Sequence, residues 1–320
     1  MNIFDRVVNF FKRIFRKHDS KPQPQPEPQP EPQPQPEPQG LIIKGNRFYF
    51  SNKLFVPIAD CSWTLVEKLY QNKLSNGDLN WYLTTRKSQG FNVINVATDG
   101  VEFSQPNIMN KLLYVCNVVQ NHGLIPMVGT GMHYYKDSKP IRFVPFGHER
   151  DYGIKFAEQM KKYTGVWFVI INGLDDGISE ASVNTFAAGV RDINQNVLLS
   201  YHAKHGTYAV PVVSNSFSYT QSGHRDLSKA FAASLVKKCP NSIPCFAGEP
   251  AFEGQPQFGN PSHIIDKNDV YNSISGAVDA GAAGVGYGHH LVWPFGNGWK
   301  EAVKNAPGRV IPSTEASRIK

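Results

Sequence analysis

The chain has 320 residues, of which 41% are hydrophobic, so it is long enough for one large folded domain with additional segments. Its formal net charge is +7, but the body of the chain has no Lys/Arg block and no nucleic-acid motif, which excludes nucleic acid as an expected partner. The four cysteines show neither Cys-x-x-Cys spacing nor a disulfide-dense pattern, which predicts reduced, structural thiols.

Residues 1–20 predict an amphipathic helix for anchoring or docking. Its charged and polar residues fall on one side of a helical wheel, and the other side is hydrophobic, with Ile3, Phe4, Val7, Val8, Phe11, Ile14 and Phe15. Because so short a helix is marginal in water, its apolar side needs a partner. We expect a protein assembly, of which a virion is one example, or an anionic membrane surface; packing onto the chain's own folded domain is the alternative.

The same segment differs from a signal peptide. Charged residues interrupt its apolar run, and no small-residue cleavage site follows. No run in the sequence approaches the ~20 apolar residues of a membrane span. We therefore expect synthesis in the cytoplasm without a signal peptide or transmembrane segment, and display on a particle or membrane surface.

Residues 21–40 predict a stiff linker of Pro, Gln and Glu. Proline at every second position from 22 to 38 is incompatible with helix and sheet and favours polyproline II. At about 3.1 Å per residue, the 18 residues from Pro22 to Gln39 span about 55 Å. The layout indicates an anchor, a spacer and a displayed domain.

Residues 41–320 predict a (β/α)8 barrel. Eight apolar, β-rich runs are candidate strands, at 55–60, 93–97, 124–128, 166–171, 197–201, 214–219, 244–248 and 284–288. Candidate helices lie between them, at 64–74 or 79–89, 106–121, 149–162, 179–193, 226–238 and 267–280. This spacing fits a parallel barrel. A doubly wound open sheet is the rival, but no Gly-rich phosphate turn follows the first strand.

Polar and aromatic residues follow nearly every candidate strand. The run 244–250 brings Glu249 to a strand end, and the run 166–171 leads to Asp175 and Asp176. The other candidate site residues share this placement and are expected to bind substrate: Asp60, Trp63, His133, His202, Gln221, His224, His289, His290 and Trp293. In a barrel the residues after each strand converge at one face, so these side chains predict one pocket.

Two acids in a pocket with histidines and tryptophans indicate carbohydrate chemistry. Glycoside hydrolysis uses two carboxyl groups, one to protonate the leaving oxygen and one to attack the anomeric carbon or activate water. Tryptophan rings are suited to stacking on sugars, although ordinary core packing is an equally good explanation for each one. We expect a carbohydrate substrate, no cofactor and no metal.

Several segments resemble the apiosidase-like (DUF4038, glycoside hydrolase family 140-like) barrels. They occur in the family's order, at Phe55-Val-Pro-Ile-Ala-Asp-Cys-Ser-Trp63, Gly90-Phe-Asn-Val-Ile94, Ser200-Tyr-His202, Gln221-Ser-Gly-His-Arg225, Gly248-Glu-Pro250 and Tyr287-Gly-His-His-Leu-Val-Trp293. The resemblance implies a (β/α)8 glycoside hydrolase; the family includes enzymes that release apiose from pectic side chains. It implies Glu249 as nucleophile and Asp175 as acid/base, with Asp176 as the alternate acid. Cys61 stands where the family usually has Thr.

Two other functions remain open from the sequence. A carbohydrate-binding barrel without turnover would serve adhesion on the displaying assembly. A metal-dependent hydrolase would use the strand-end histidines as zinc ligands. The first strand ends in Ala-Asp rather than the His-x-His of metal-dependent amidohydrolase barrels, and no His-Glu-x-x-His motif occurs, which disfavours the metal enzyme.

Overall fold

The computed structural model describes residues 40–98, 102–136, 139–175 and 177–305. The predicted helix 1–20, the linker up to residue 39 and Asp176 fall outside these ranges. Within them, no helix is both long and apolar enough to cross a bilayer.

The strands comprise those at the predicted apolar runs and several shorter ones elsewhere. In chain order they are β1 (Leu41–Lys44), β2 (Arg47–Phe50), β3 (Lys53–Phe55), β4 (Ile58–Asp60), β5 (Val93–Ala97), β6 (Ile125–Gly131), β7 (His133–Lys136), β8 (Lys139–Arg142), β9 (Phe168–Asn172), β10 (Leu198–Tyr201), β11 (Thr207–Ala209), β12 (Ser218–Gln221), β13 (Cys245–Glu249), β14 (Phe252–Glu253), β15 (Pro256–Gln257), β16 (Asn260–Ile264) and β17 (Gly284–His289).

The helices alternate with the strands. They are α1 (Leu65–Tyr70), α2 (Asn76–Ser88), α3 (Ile108–Asn121), α4 (Glu149–Met160), α5 (Glu180–Ile193), α6 (Lys229–Lys238), α7 (Lys267–Asp279) and α8 (Trp299–Asn305). The apolar stripe of α3 faces the core, with Ile108, Leu112, Val115 and Val119 buried at helical spacing.

Eight parallel strands form the barrel, so the predicted (β/α)8 architecture is confirmed. Hydrogen-bonded neighbours run β10–β9–β6–β5–β4–β17–β13–β12. Between β12 and β10 the ring closes through one parallel bridge, Leu199 to Ser216, where the Phe217 N–H donates to the Leu199 carbonyl at 3.1 Å. All eight predicted runs overlap a barrel strand.

The connection from β10 to β12 departs from a regular barrel because residues 202–217 contain no helix. Strand β11 lies there instead and pairs antiparallel with β12, with Thr207 opposite Gln221. This segment carries His202 and His205 past the carboxyl ends of the barrel strands.

A small antiparallel sheet of β1, β2 and β3 covers the opposite end of the barrel. Phe48 of β2 is buried and contacts the ring of Phe217 edge-on at 5.3 Å. Phe217 in turn contacts Phe168 and Phe246, which lie at the amino ends of β9 and β13. The sheet therefore fills the amino end, and the carboxyl end remains available for a site.

Candidate active site

Glu249 is the last residue of β13, and its side chain is buried. The preceding residue, Gly248, lies directly over the ring of Tyr219: a Cβ there would come 2.1 Å from a ring carbon. A glycine at this position lets the strand pass close to β12 and bring the carboxylate to the barrel centre.

Three side chains surround the Glu249 carboxylate. His202 Nε2 lies 2.7 Å from Oε2, and Gln221 donates through Nε2 to Oε1 at 2.7 Å. His224 Nε2 lies 4.0 Å from Oε1. Because a carboxylate only accepts hydrogen bonds, we assign the proton of His202 to Nε2.

The electrostatic balance at Glu249 favours its charged form. Burial acts to raise the pKa of Glu249, but the hydrogen bond and charge of His202, with smaller contributions from His224 and Gln221, hold the pKa below its usual value. The carboxylate is therefore ionised near neutral pH, as a nucleophile requires.

His224 and His205, in contrast to Glu249, are held in their neutral forms. Burial lowers the pKa of His224 to about 4 and lowers that of His205, so both rings are neutral near pH 7. The Phe252 N–H donates to Nδ1 of His224 at 3.1 Å, which leaves the proton of this ring on Nε2, toward Glu249.

Asp175 approaches the same space from the loop after β9. The side chain is exposed, and its Oδ1 accepts a hydrogen bond from the backbone N–H of His205 at 2.8 Å. The contact ties the β9 loop to the helix-free segment after β10. It fixes the direction of the carboxylate while leaving one oxygen for another partner.

Both carboxylates line one cleft of about 590 Å³. Its wall is formed by residues from the carboxyl ends of most barrel strands: Trp63, Thr64, Glu67, Lys68, His133, Asn172, Asp175, His202, His205, Gln221, His224, Glu249, Phe252, Gln255, Phe258, Trp293 and Pro294. Trp63 packs edge-on against His202 at 4.9 Å, so this ring also supports the histidine that contacts Glu249.

The structure brings most of the predicted site residues together. Besides the two acids, six of the predicted substrate-binding residues line the cleft: Trp63, His133, His202, Gln221, His224 and Trp293. The alternate acid, Asp176, lies outside the described residues. Three predicted residues, Asp60, His289 and His290, are not among those that line this cleft.

Asp60 has a different environment from the predicted one. It is fully buried, and its Oδ2 accepts a hydrogen bond from Arg86 Nε of α2 at 2.6 Å and another from the Tyr82 hydroxyl. The Arg86 guanidinium lies over the rings of Phe91 and Tyr287. In this structure Asp60 therefore attaches α2 to the barrel instead of lining the cleft.

Neither of the two histidines at the end of β17, His289 and His290, lines the cleft. His289 Nδ1 accepts a hydrogen bond from the Leu291 N–H at 3.1 Å, within its own turn, and burial lowers its pKa to about 4. His290 is exposed. Within the described ranges, no three His, Cys, Asp or Glu side chains form a group suited to a metal ion.

Other cleft residues were not selected from the sequence. Asn172 is the last residue of β9, so the strand-end rule alone would have identified it. Phe252, Gln255 and Phe258 belong to the segment after β13 that contains the β15–β16 hairpin. The sequence signal for this hairpin is weak, since β15 has only two residues.

The comparisons with known proteins agree with this geometry. The sequence model of the apiosidase-like catalytic domain matches residues 111–308, which is more than half of the chain. Among curated proteins, none matches the chain.

Solved structures share the fold at low sequence identity. A glycoside hydrolase family 5 protein from Bacteroides vulgatus has a TM-score of 0.67 at 19% identity, covering 83% of this chain and 69% of that one. The exo-β-1,4-mannosidase Op5Man5 from an Opitutaceae bacterium has 0.61 at 12%, covering 87% and 63%. The β-glucanase SdGluc5_26A from Saccharophagus degradans, solved with cellotetraose, has 0.58 at 12%, covering 88% and 94%.

Proposed function

Since the chain belongs to the apiosidase-like catalytic-domain family and is a glycoside hydrolase, we propose that it cleaves a polysaccharide or glycan with retention of anomeric configuration. Glu249 is the proposed nucleophile and Asp175 the proposed acid/base. The observation that carries this assignment is the contact of Glu249 with His202 and Gln221, which holds an ionised carboxylate in the cleft that Asp175 also lines.

The proposed reaction has two displacements. Asp175 gives its proton to the glycosidic oxygen while Glu249 attacks the anomeric carbon, which breaks the bond to the leaving group and forms a glycosyl ester. Asp175 then takes a proton from a water molecule that attacks the same carbon and releases Glu249 as a carboxylate. Two inversions give net retention.

The other cleft residues have supporting roles in this proposal. His202 and Gln221 hold the Glu249 carboxylate in position and keep it ionised, so that it is ready to attack the anomeric carbon. Trp63 and Trp293 offer ring faces to the sugar, and His133 and His224 offer hydrogen bonds to its hydroxyl groups.

The experiment is a screen of the purified chain against plant and bacterial polysaccharides, with reducing ends as the readout. Glu249→Gln and Asp175→Asn are run in parallel. Glu253→Gln is the matched control, because Glu253 lies near Glu249 in sequence, accepts a hydrogen bond from Tyr287 and is not among the cleft residues.

We expect release by the wild type and the control, and a loss on the order of 100-fold or more in each carboxylate variant. Binding of a glycan without release by the wild type would instead support a carbohydrate-binding barrel without turnover. Full activity of Glu249→Gln would contradict the assigned nucleophile.

We also propose that residues 1–20 anchor the enzyme and that residues 21–40 hold it away from the surface. The amphipathic pattern of residues 1–20 and the alternating prolines of the linker support the proposal. The test compares the full chain with residues 41–320 in two assays. The first is sedimentation with anionic phospholipid vesicles, and the second is copurification with a protein assembly such as a virion. Equal behaviour of both proteins in both assays would contradict an anchor.

A further inference from the structure

Two cysteines lie side by side at the amino end of the strand that carries Glu249. Cys239 directly follows α6, and Cys245 is the first residue of β13. Their sulfur atoms are 3.0 Å apart, and each residue is 6% exposed. Cys61, by contrast, donates its thiol hydrogen to the Gly248 carbonyl at 3.3 Å.

We propose that Cys239 and Cys245 are a redox-active dithiol, which a low-molecular-weight disulfide such as oxidised glutathione converts to an intramolecular disulfide. The site lies at the end of β13 opposite to Glu249, so it is separate from the cleft. It does not depend on the proposed catalytic roles.

The local chain makes this exchange feasible. Residues 240–242, between the two cysteines, are exposed, so a local opening of this short loop brings Cys239 into contact with solvent. The thiols also differ in acidity: a hydrogen bond from Cys245 lowers the pKa of Cys239 and raises that of Cys245. Cys239 is therefore the attacking thiolate.

The reaction balances as two exchanges. The Cys239 thiolate attacks one sulfur of oxidised glutathione, so a mixed disulfide forms and one glutathione leaves as a thiolate. Cys245 loses its proton to solvent and attacks the Cys239 sulfur, which releases the second glutathione. Together the two cysteines lose two electrons, and oxidised glutathione accepts them and is reduced to two thiols.

The new bond would link the end of α6 to the start of β13. Such a cross-link removes conformational freedom mainly from the unfolded chain. For a loop this short, in a chain of this size, the expected rise in Tm is at most about 4 °C. Cys61 and Cys116 are expected to stay reduced.

The test incubates the folded full chain with oxidised glutathione. The protein is then unfolded, and its free thiols are counted with a chromogenic reagent. We expect the count to fall from the four cysteines of the sequence to two. Trypsin leaves both residues in one peptide, 239–267, so oxidation lowers the mass of this peptide by two hydrogens and blocks its alkylation.

Two variants locate the chemistry. Cys245→Ser should retain one glutathione on Cys239, because no second thiol can displace it. Cys116→Ser, which removes a buried cysteine of α3, should lose two thiols as the wild type does. Four thiols remaining in the wild type, or oxidation that maps outside peptide 239–267, would overturn the proposal.

Discussion

At the scale of single residues, the charge of Glu249 depends on one neighbour above the others. Burial alone would favour the protonated acid, and His202 contributes the largest opposing effect. Since the pKa of Glu249 is depressed, the carboxylate stays ionised as the pH falls and is protonated only when the pH passes below that lowered pKa.

Replacing His202 with Ala should therefore move the acid limb of kcat/KM to higher pH. The acid limb moves in this direction because burial, which raises the pKa of Glu249, is then opposed only by the smaller contributions of His224 and Gln221. His263→Ala is the control, since His263 pairs with Asp269 outside the cleft. An unchanged acid limb in His202→Ala would contradict the role of this contact.

Phe258 supplies a second residue-scale prediction. Its ring is 46% exposed at the cleft, and it contacts His205 at 5.2 Å and His224 at 5.3 Å. An aromatic face held in this way is suited to stacking on a sugar ring. Phe258→Ala should raise KM for the cleaved glycan roughly 2- to 12-fold with little change in kcat, from about 0.5–1.5 kcal/mol of stacking.

Phe146→Ala is the matched control, because Phe146 is 80% exposed but lies over Arg142 instead of in the cleft. Equal KM values for the two variants would show that the Phe258 ring does not contact the substrate.

The sequence predicted Glu249, Asp175 and six other cleft residues because strand ends of a barrel converge on one face. It did not predict the environment of Asp60, because position at a strand end leaves the direction of the side chain open. Successive residues point to opposite sides: Asp60 contacts Arg86 of α2, whereas Cys61 contacts the backbone of β13.

At the scale of elements, helices α4 and α5 pack with their backbones in close approach. A Cβ on Gly153 would lie 2.1 Å from the Phe186 carbonyl oxygen, and one on Gly189 would lie 2.1 Å from that of Arg150. Two glycines on facing helices therefore set the distance between them.

Gly189→Ala should lower the free energy of unfolding by about 1–3 kcal/mol, because the added methyl group forces the helices apart. Urea denaturation measures this change. Gly77→Ala in α2 is the control: its nearest atom would be 3.5 Å away, so stability should stay the same or rise. Equal stability of Gly189→Ala and wild type would contradict the close packing.

The sheet of β1, β2 and β3 was not predicted from the sequence. Its strands have only three or four residues, too few for a clear period of two. The turns did carry a sequence signal, because Gly45 and Asn52 are residue types that favour two-residue hairpin turns. In the structure Gly45, Ser51 and Asn52 adopt the positive φ that such turns require.

At the scale of the whole molecule, eight apolar runs at regular spacing were sufficient to predict the barrel. The way it closes was not predictable, because the contact between β10 and β12 is a single bridge at Leu199 and Ser216. Such a contact depends on the tertiary path of residues 202–217, which has no local periodicity.

Buried histidines should make the stability of the whole chain depend on pH. His224 and His289 have pKa values of about 4, whereas an unfolded histidine titrates near 6.5. Between these values the unfolded chain binds protons that the folded chain does not, so stability falls as the pH decreases from about 6.5 to 4.

Thermal unfolding across this window should show a decreasing Tm, with a shallower slope in His289→Gln. His148→Gln is the control, since His148 is exposed on the surface, and it should keep the wild-type slope. A wild-type slope in His289→Gln would contradict the contribution of that ring.

The measurement that tests the catalytic account most directly is the anomeric configuration of the first product, followed by proton NMR on the glycan that the wild type cleaves. Two carboxylates acting as nucleophile and acid/base predict a product that initially has the configuration of the substrate, and carboxyl groups about 5–5.5 Å apart. An initially inverted product would contradict the covalent role of Glu249 and would make it the base that activates water.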